Sequence, residues 1–196
     1  HQGKILSAKV FKKANKWFVS IAVELDKVIL PKPKIGKAVG IDLGITDLAT
    51  LSDGTKIQAP KPLKSKLKKL QRLSKALNRK QKGGANRAKA KIKLSRLHLK
   101  IANIRKDFLH KLTTNLIKTY DVICLENLNV QGMVKNRKLA RSINDLGFYE
   151  LKRQLVYKAN QWGKQVKELN RFYPSSKTCS NCSYKLESLS LSTRYW

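Results

Sequence analysis

The sequence predicts an α/β fold. Two short apolar runs, 37–51 and 122–126, read as strands, and each carries one carboxylate of note, Asp42 and Glu126. Between them, residues 63–119 change character, with leucine and isoleucine at helical spacing and almost purely basic polar positions. Strands on either side of a helical segment make a sheet with an inserted helical unit.

With 196 residues and 41% hydrophobic content, the chain can form one medium domain, or a domain plus a small appendage. Lys and Arg number 43 against 12 acids, a net charge of +31. Such an excess opposes compaction unless a polyanion neutralises it, which makes nucleic acid the expected partner. A membrane is not expected, because no apolar run approaches the roughly 20 residues of a spanning helix and no signal peptide is present. The three cysteines, Cys124, Cys179 and Cys182, make no disulfide framework, so a reducing compartment such as the cytoplasm is expected. The chain begins with His1 and stops at Trp196, and both ends are expected to be cuts.

Residues 4–10 alternate weakly, and 17–24 alternate well through Trp17, Val19, Ile21 and Val23. With a polar turn over 12–16 they predict an antiparallel hairpin, read as the end of an upstream β-domain. Leu30-Pro-Lys-Pro-Lys34 is then a stiff linker. The first strand of the main sheet follows, around Val39, Ile41, Leu43 and Ile45, with Asp42 set in an apolar run and Gly40 and Gly44 leaving room for close approach. An acid in so apolar a run is costly unless paired, neutralised or bound to a metal. A second strand is expected over 45–51, a turn at Ser52-Asp-Gly54 and a third strand over 55–59.

Leu63, Leu67, Leu70, Leu73 and Leu77 form one helical stripe. Leu94, Leu97, Ile101, Ile104, Phe108, Leu112 and Leu116 form another, after Lys82-Gly-Gly-Ala-Asn86. Together they predict a long helical hairpin. Residues 61–118 hold twenty Lys/Arg and one acid, Asp107. A solvated helix face normally mixes signs, so a one-signed face of this length points to phosphate neutralisation. Lys68, Lys69, Arg72, Arg79, Lys89, Lys93 and Arg96 are the candidate contacts.

Val122–Leu125 reads as a strand buried on both faces, with Cys124 a small core residue and Glu126 at the C-terminal end, where sites gather in open α/β sheets. A basic loop at 130–141 adds Lys135, Arg137, Lys138 and Arg141. Asn144 is a candidate cap for a helix running to Gly163, and 166–169 a further strand.

If the first and the 122–126 strands are parallel neighbours, Asp42 and Glu126 face one crevice. They are then either two unrelated strand-end acids or a pair bridged by cations. Mg²⁺ or Mn²⁺ suits such a pair, taking one or two carboxylates and phosphate oxygens. Cys179-x-x-Cys182 has the spacing of half a zinc site, but four ligands are needed and this chain has no second Cys pair, so a redox pair remains the competitor.

Four segments together closely resemble the TnpB (OrfB) proteins of insertion sequences, relatives of the type V CRISPR effector nucleases. They are Val39-Gly-Ile-Asp-Leu-Gly-Ile-Thr-Asp-Leu-Ala-Thr50, Val122-Ile-Cys-Leu-Glu-Asn-Leu-Asn-Val130, Lys135-Asn-Arg-Lys-Leu-Ala-Arg-Ser-Ile143 and Phe172-Tyr-Pro-Ser-Ser-Lys-Thr-Cys-Ser-Asn-Cys182. The resemblance implies a mixed RNase H-like (RuvC) sheet with an inserted basic helical hairpin, and a zinc ribbon. It implies a guide RNA and target DNA as partners, and Mg²⁺-dependent cleavage in the intact protein. By motif, Asp42 and Glu126 match the first two catalytic carboxylates, and Cys179 and Cys182 match half of the Zn²⁺ site. The second Cys pair and the third catalytic Asp of the family are not in this sequence, and Ser183 stands where the knuckle usually has Gly. The expected division is 1–34 as the end of a β-barrel-like domain and linker, 35–174 as a RuvC-like domain with its insertion at about 61–119, and 175–196 as half a zinc ribbon. The chain is expected to bind nucleic acid without cutting it. A non-catalytic RNA/DNA-binding protein is the alternative, and a zinc-dependent regulator ranks last.

Overall fold

A computed structural model describes residues 3–25, 36–170, 173–174, 177–179, 181–190 and 193. The linker expected at 30–34 lies outside them.

Strands β1 (Lys4–Lys13) and β2 (Lys16–Glu24) pair antiparallel as a separate two-stranded sheet. Ala14 and Asn15 both take positive φ, 50° and 57°, so the turn tightens to two residues with the twist that suits a hairpin. Phe11 stacks on Phe18 across the strands, while Trp17 stays 69% exposed. The hairpin tip reaches the helical unit, where Arg96 Nε donates to the Ala14 carbonyl at 3.4 Å.

The main sheet holds β3 (Ala38–Asp42), β4 (Ala49–Leu51), β5 (Lys56–Ile57), β6 (Val122–Glu126) and β7 (Gln165–Leu169). Its order is β5-β4-β3-β6-β7. The β5–β4 and β4–β3 pairs are antiparallel, and β3–β6 and β6–β7 are parallel, so the sheet is mixed. The second strand is shorter than the expected 45–51. After Asp42 the chain must reverse, and it does so through a turn closed by Gly44 N–H donating to the Leu48 carbonyl at 3.3 Å. A Cβ on Gly44 would lie 2.9 Å from the Asp47 carbonyl oxygen, so glycine is required there. The third strand is likewise shorter than 55–59, because a three-residue β4 offers little edge to pair with.

Helices α1 (Pro62–Asn78) and α2 (Ala85–Thr119) lie between β5 and β6 and pack on each other. Arg87 closes their connection by donating to the Leu77 and Lys80 carbonyls at 3.0 and 2.8 Å. The leucines of α1 are only half-buried. On α2, Leu97, Ile101 and Leu116 of the predicted stripe are buried, joined by Leu109 and Ile117. The core forms where Leu109, Leu116 and Ile117 meet Val39, Ile41, Ile123 and Leu125 of the sheet and Leu151, Leu155 and Ala159 of the last helix.

The basic loop contains a short helix, α3 (Val130–Met133), and leads into α4 (Ala140–Leu146) and α5 (Phe148–Trp162). Asn144 does not cap a helix. It lies inside α4, its side-chain amide donating to the Ala140 carbonyl, and the break between helices is made by Gly147 at φ 74°. Gly163 at φ 63° ends α5 as expected.

Two buried polar devices fix the helices to the core. Asp145 of α4 is 3% exposed, and its carboxylate accepts from the Leu63 and Lys64 backbone N–H groups at 2.9 Å each. It thereby caps α1 from another element and satisfies donors that helix geometry leaves open. Arg105 Nη2 of α2 lies 3.6 Å from the same carboxylate, so one acid ties α1, α2 and α4. On α5, Lys158 is buried and donates to the His110 carbonyl and the Thr113 and Thr114 hydroxyls at 2.9, 2.8 and 2.7 Å. Burial pushes its ammonium pKa down. Among the described residues, no helix is long and apolar enough to cross a membrane.

Asp145→Ala should lower unfolding free energy by about 2–3 kcal/mol, since it removes a cap and leaves a charge unpaired. Asp107→Ala, which breaks only an exposed pair with Lys111, should stay within about 0.5 kcal/mol. Urea titration of both variants checks this. Glu150 supplies a pH test. Arg153 donates to both of its carboxylate oxygens at 2.8 Å and Gln154 donates to one, and against the opposing effect of burial these bonds pull its pKa from 4.5 to about 2. A depressed carboxylate stabilises the fold above its unfolded pKa and loses that contribution as pH falls through the folded value. Acid titration should therefore show a stability loss between pH 4.5 and about 2 that Glu150→Gln reduces.

Candidate functional site

Strand β3 runs parallel to β6 with Ile41 opposite Leu125, so Asp42 and Glu126 end neighbouring strands side by side. The apolar side chains set this register. Val39 and Ile41 are buried on one face, while Ala38 and Asp42, on the other, are exposed. The acid expected inside an apolar run therefore stands at the open end of the strand, because alternation turns every second residue of β3 away from the core. Glu126 is half-buried.

Both carboxylates line one groove of about 390 Å³, together with Gly40, Ser52 and Cys124. Cys124 is a groove residue rather than a core one: it lies opposite Gly40 in the register, on the face away from Ile123 and Leu125. Ser52 pins the β4 end of the groove, its hydroxyl accepting from Gly40 N–H at 3.1 Å and its N–H donating to the Gly40 carbonyl at 2.9 Å. On its other side Glu126 borders a larger cavity of about 640 Å³ against α5, which carries Tyr149, Lys152 and Arg153. Two acids at one open strand end suit the one or two carboxylates that Mg²⁺ or Mn²⁺ takes from a protein. Among the described residues, no group of three or more His, Cys, Asp or Glu side chains is placed to hold a metal.

The basic candidates are all exposed: Lys68, Lys69 and Arg72 on α1, Arg79 after it, Lys89, Lys93 and Arg96 on α2, and Lys135, Arg137, Lys138 and Arg141 around α3 and α4. They make two surfaces, one on the helical pair and one on the segment that leaves Glu126. The α1–α4 packing brings the root of the first towards the second at Arg141. Sequence reasoning overlooked Lys61, Lys64 and Asp145, which meet at that junction. No local pattern announces a cap donated from eighty residues away.

Cys179 and Cys182 lie on a tight turn. Cys179 N–H donates to the Tyr184 carbonyl at 2.8 Å, Ser183 N–H donates to the Cys179 carbonyl at 3.0 Å, and Thr178 bridges to Lys185. Ser183 takes φ 62°, the left-handed conformation that glycine adopts more readily. The Cys179 sulfur is approached by the Cys182 and Asn181 backbone N–H groups and the Cys182 thiol, which together hold its pKa below the ordinary thiol value. N–H groups aimed at sulfur favour thiolate, the form that binds Zn²⁺, so the pair fits two ligands of such a site.

Comparison with known proteins adds family context. Residues 20–137 match the model of the OrfB_IS605 family, described as a probable transposase, and residues 148–196 match the Cas12f1-like TNB domain. A Streptomyces pristinaespiralis protein is 42% identical over 94% of this chain and 45% of its own length. An Escherichia coli protein, InsQ, is 38% identical over 93% of this chain and 48% of its own length. Both are named "Putative RNA-guided DNA endonuclease". The chain thus spans about half the length of these curated relatives. Its fold resembles that of a chain in a Cas12f1–sgRNA–target DNA complex, with a TM-score of 0.59 at 18% identity, covering 87% of this chain and 36% of that one.

The Cys179 environment predicts a reactive thiol. In metal-free buffer, the pH at half-maximal rate of Cys179 alkylation by iodoacetamide should lie below the roughly 8.5 of a free cysteine, read by peptide mass spectrometry. A midpoint at or above that value would remove the argument for a thiolate-stabilising turn.

Proposed function

We propose, for a chain that belongs to the OrfB_IS605 (TnpB) family of probable transposases, that it is the nucleic-acid-binding and acidic-site portion of an RNA-guided DNA endonuclease. The observation that carries the proposal is the parallel register of β3 and β6, which sets Asp42 beside Glu126. The mixed sheet supports reading 35–174 as an RNase H-like, RuvC-type domain with the α1–α2 hairpin inserted at about 61–119. On the same proposal 1–34 is the end of a β-barrel-like domain with its linker, and 175–196 is half of a zinc ribbon.

Asp42 and Glu126 are the residues that would hold Mg²⁺ or Mn²⁺, and Cys179 and Cys182 those that would contribute to a Zn²⁺ site. Bound at the acids, a divalent ion supplies charge stabilisation at a scissile phosphate and a more acidic water. The chain's own part is to position. Ser52 fixes the groove beside Asp42, and the register fixes Glu126 relative to it. The exposed Lys and Arg of α1 and α2 are proposed to grip a guide RNA–target DNA duplex by its backbone, without reading sequence. Lys135, Arg137, Lys138 and Arg141 would touch the strand near the acids. Because the described residues bring two carboxylates and no third ligand to the groove, the chain is proposed to bind nucleic acid without cutting it.

Mn²⁺ titration followed by electron paramagnetic resonance tests the acidic site. Asp42→Ala and Glu126→Gln should each weaken binding by more than the roughly 10–100-fold that loss of a supporting group costs. Unchanged Mn²⁺ affinity in both would leave the non-catalytic RNA/DNA-binding alternative. Plasmid nicking by the chain with Mg²⁺ and guide RNA, abolished in Asp42→Ala, would refute its inability to cut.

A further inference from the structure

A groove of about 440 Å³ opens where three elements converge: the loop after β3 at Ile45 and Thr46, the root of α1 at Lys61 and Lys64, and α4 at Arg141 and Ser142. Among the described residues the only acid on its wall is Asp145, and that charge is already engaged, by the Leu63 and Lys64 backbone N–H groups and by Arg105. The positive end of α1 is therefore satisfied from within the fold and is not what an external anion would meet.

The cations differ in their engagement. Lys61 Nζ donates to the Thr46 carbonyl at 2.9 Å, tying the loop that follows Asp42 to the root of α1. Its backbone sits at φ 42°, ψ 57°, a left-handed conformation directly before Pro62. That is strained for a side-chain-bearing residue and disfavoured again by the following proline, and strain of this kind persists where the surroundings enforce it and gathers at functional sites. Lys64 and Arg141 have no acidic partner within ion-pair distance among the described residues, and both are exposed at the groove. One lysine thus builds the wall, while two cations from different elements face the opening.

We propose that this groove is a phosphodiester-binding site, in which Lys64 and Arg141 clamp one backbone phosphate of a bound nucleic acid, on a wall that Lys61 holds in place. It deepens, and rests on, the nucleic-acid-binding function proposed above. The site joins the two basic surfaces: Lys64 opens the face of α1, and Arg141 closes the segment that starts at Glu126. Thr46 lies four residues beyond Asp42, so the loop that forms the groove wall also leaves the acidic site.

The test is fluorescence anisotropy of the full chain with a labelled RNA–DNA heteroduplex, titrated between about 50 and 200 mM salt. Each phosphate left unneutralised should flatten the slope of log affinity against log salt by about 0.9 in duplex DNA. Lys64→Gln/Arg141→Gln, which frees that one phosphate, should flatten it by about 0.9 relative to the charge-matched Lys9→Gln/Lys56→Gln, whose side chains are exposed on other elements. Lys64→Arg should retain the wild-type slope. Far-UV circular dichroism confirms that each variant is folded. Equal slopes for the groove variant and its charge-matched control overturn the phosphate site and leave the broader function standing. Failure of the wild-type chain to bind the heteroduplex at the lowest salt overturns both.

Discussion

Parallel pairing of β3 with β6 is the constraint on which the rest of the molecule depends. Val39 and Ile41 on one strand and Ile123 and Leu125 on the other are all buried, and they form the sheet's side of the core that α2 and α5 close. A slip of one residue would turn these four side chains out and their neighbours in, so the hydrophobic pattern specifies the register tightly. Once that register is set, Asp42 and Glu126 must sit side by side, since each is the next residue after a paired apolar one. The acids' position is thus a by-product of burial elsewhere, with Asp42 exposed and Glu126 half-buried at the end of the sheet.

The second constraint is charge. A chain at +31 resists compaction, and the two-helix unit carries most of the excess with little core of its own, α1 burying only Pro62 among its residues. Asp145 answers this at one point. Its carboxylate satisfies two helix N–H groups and stands beside Arg105, so a single buried acid holds the root of α1 against α2 and α4. Lys158 does the converse on α5, where a buried ammonium is held by three neutral oxygens. Neutral acceptors stabilise the charge without introducing a second ion to desolvate. Beyond these anchors the unit presents bases to solvent, which suits a surface completed by a polyanion.

Period and composition made much of this legible. The apolar runs at 39–41 and 122–125, the stripe through Leu97, Ile101 and Leu116, and Gly163 as a helix stop all carry local signals that the tertiary structure respects. What the sequence hid depends on contacts distant along the chain. Asp145 caps a helix that starts some eighty residues earlier, while Asn144, an equally good cap by type, bonds back into its own helix. Asp42 reads as buried because its neighbours are apolar, yet Leu43 and Ile45 beyond it reach the core from a turn rather than from the strand. Cys124 sits in a continuous apolar run, and only the position of Gly40 across the register shows that its face is a groove.

The acidic groove and the basic surfaces are linked through the chain at two places. The loop that leaves Asp42 is held to the root of α1 by Lys61, and the segment that leaves Glu126 reaches the same root at Arg141. An anionic backbone that reached from those bases to the acidic groove would meet two carboxylates, and like charges at short range repel. On the proposed function, a cation held by Asp42 and Glu126 would remove that repulsion and replace it with attraction. Since binding free energies are reciprocal, whatever such a cation adds to nucleic-acid affinity the nucleic acid returns to cation affinity. On the proposed function, the two acids alone would hold a cation weakly, and the bases alone would hold a phosphate backbone without fixing its register. Joined through Lys61 and Arg141, each can supply what the other lacks.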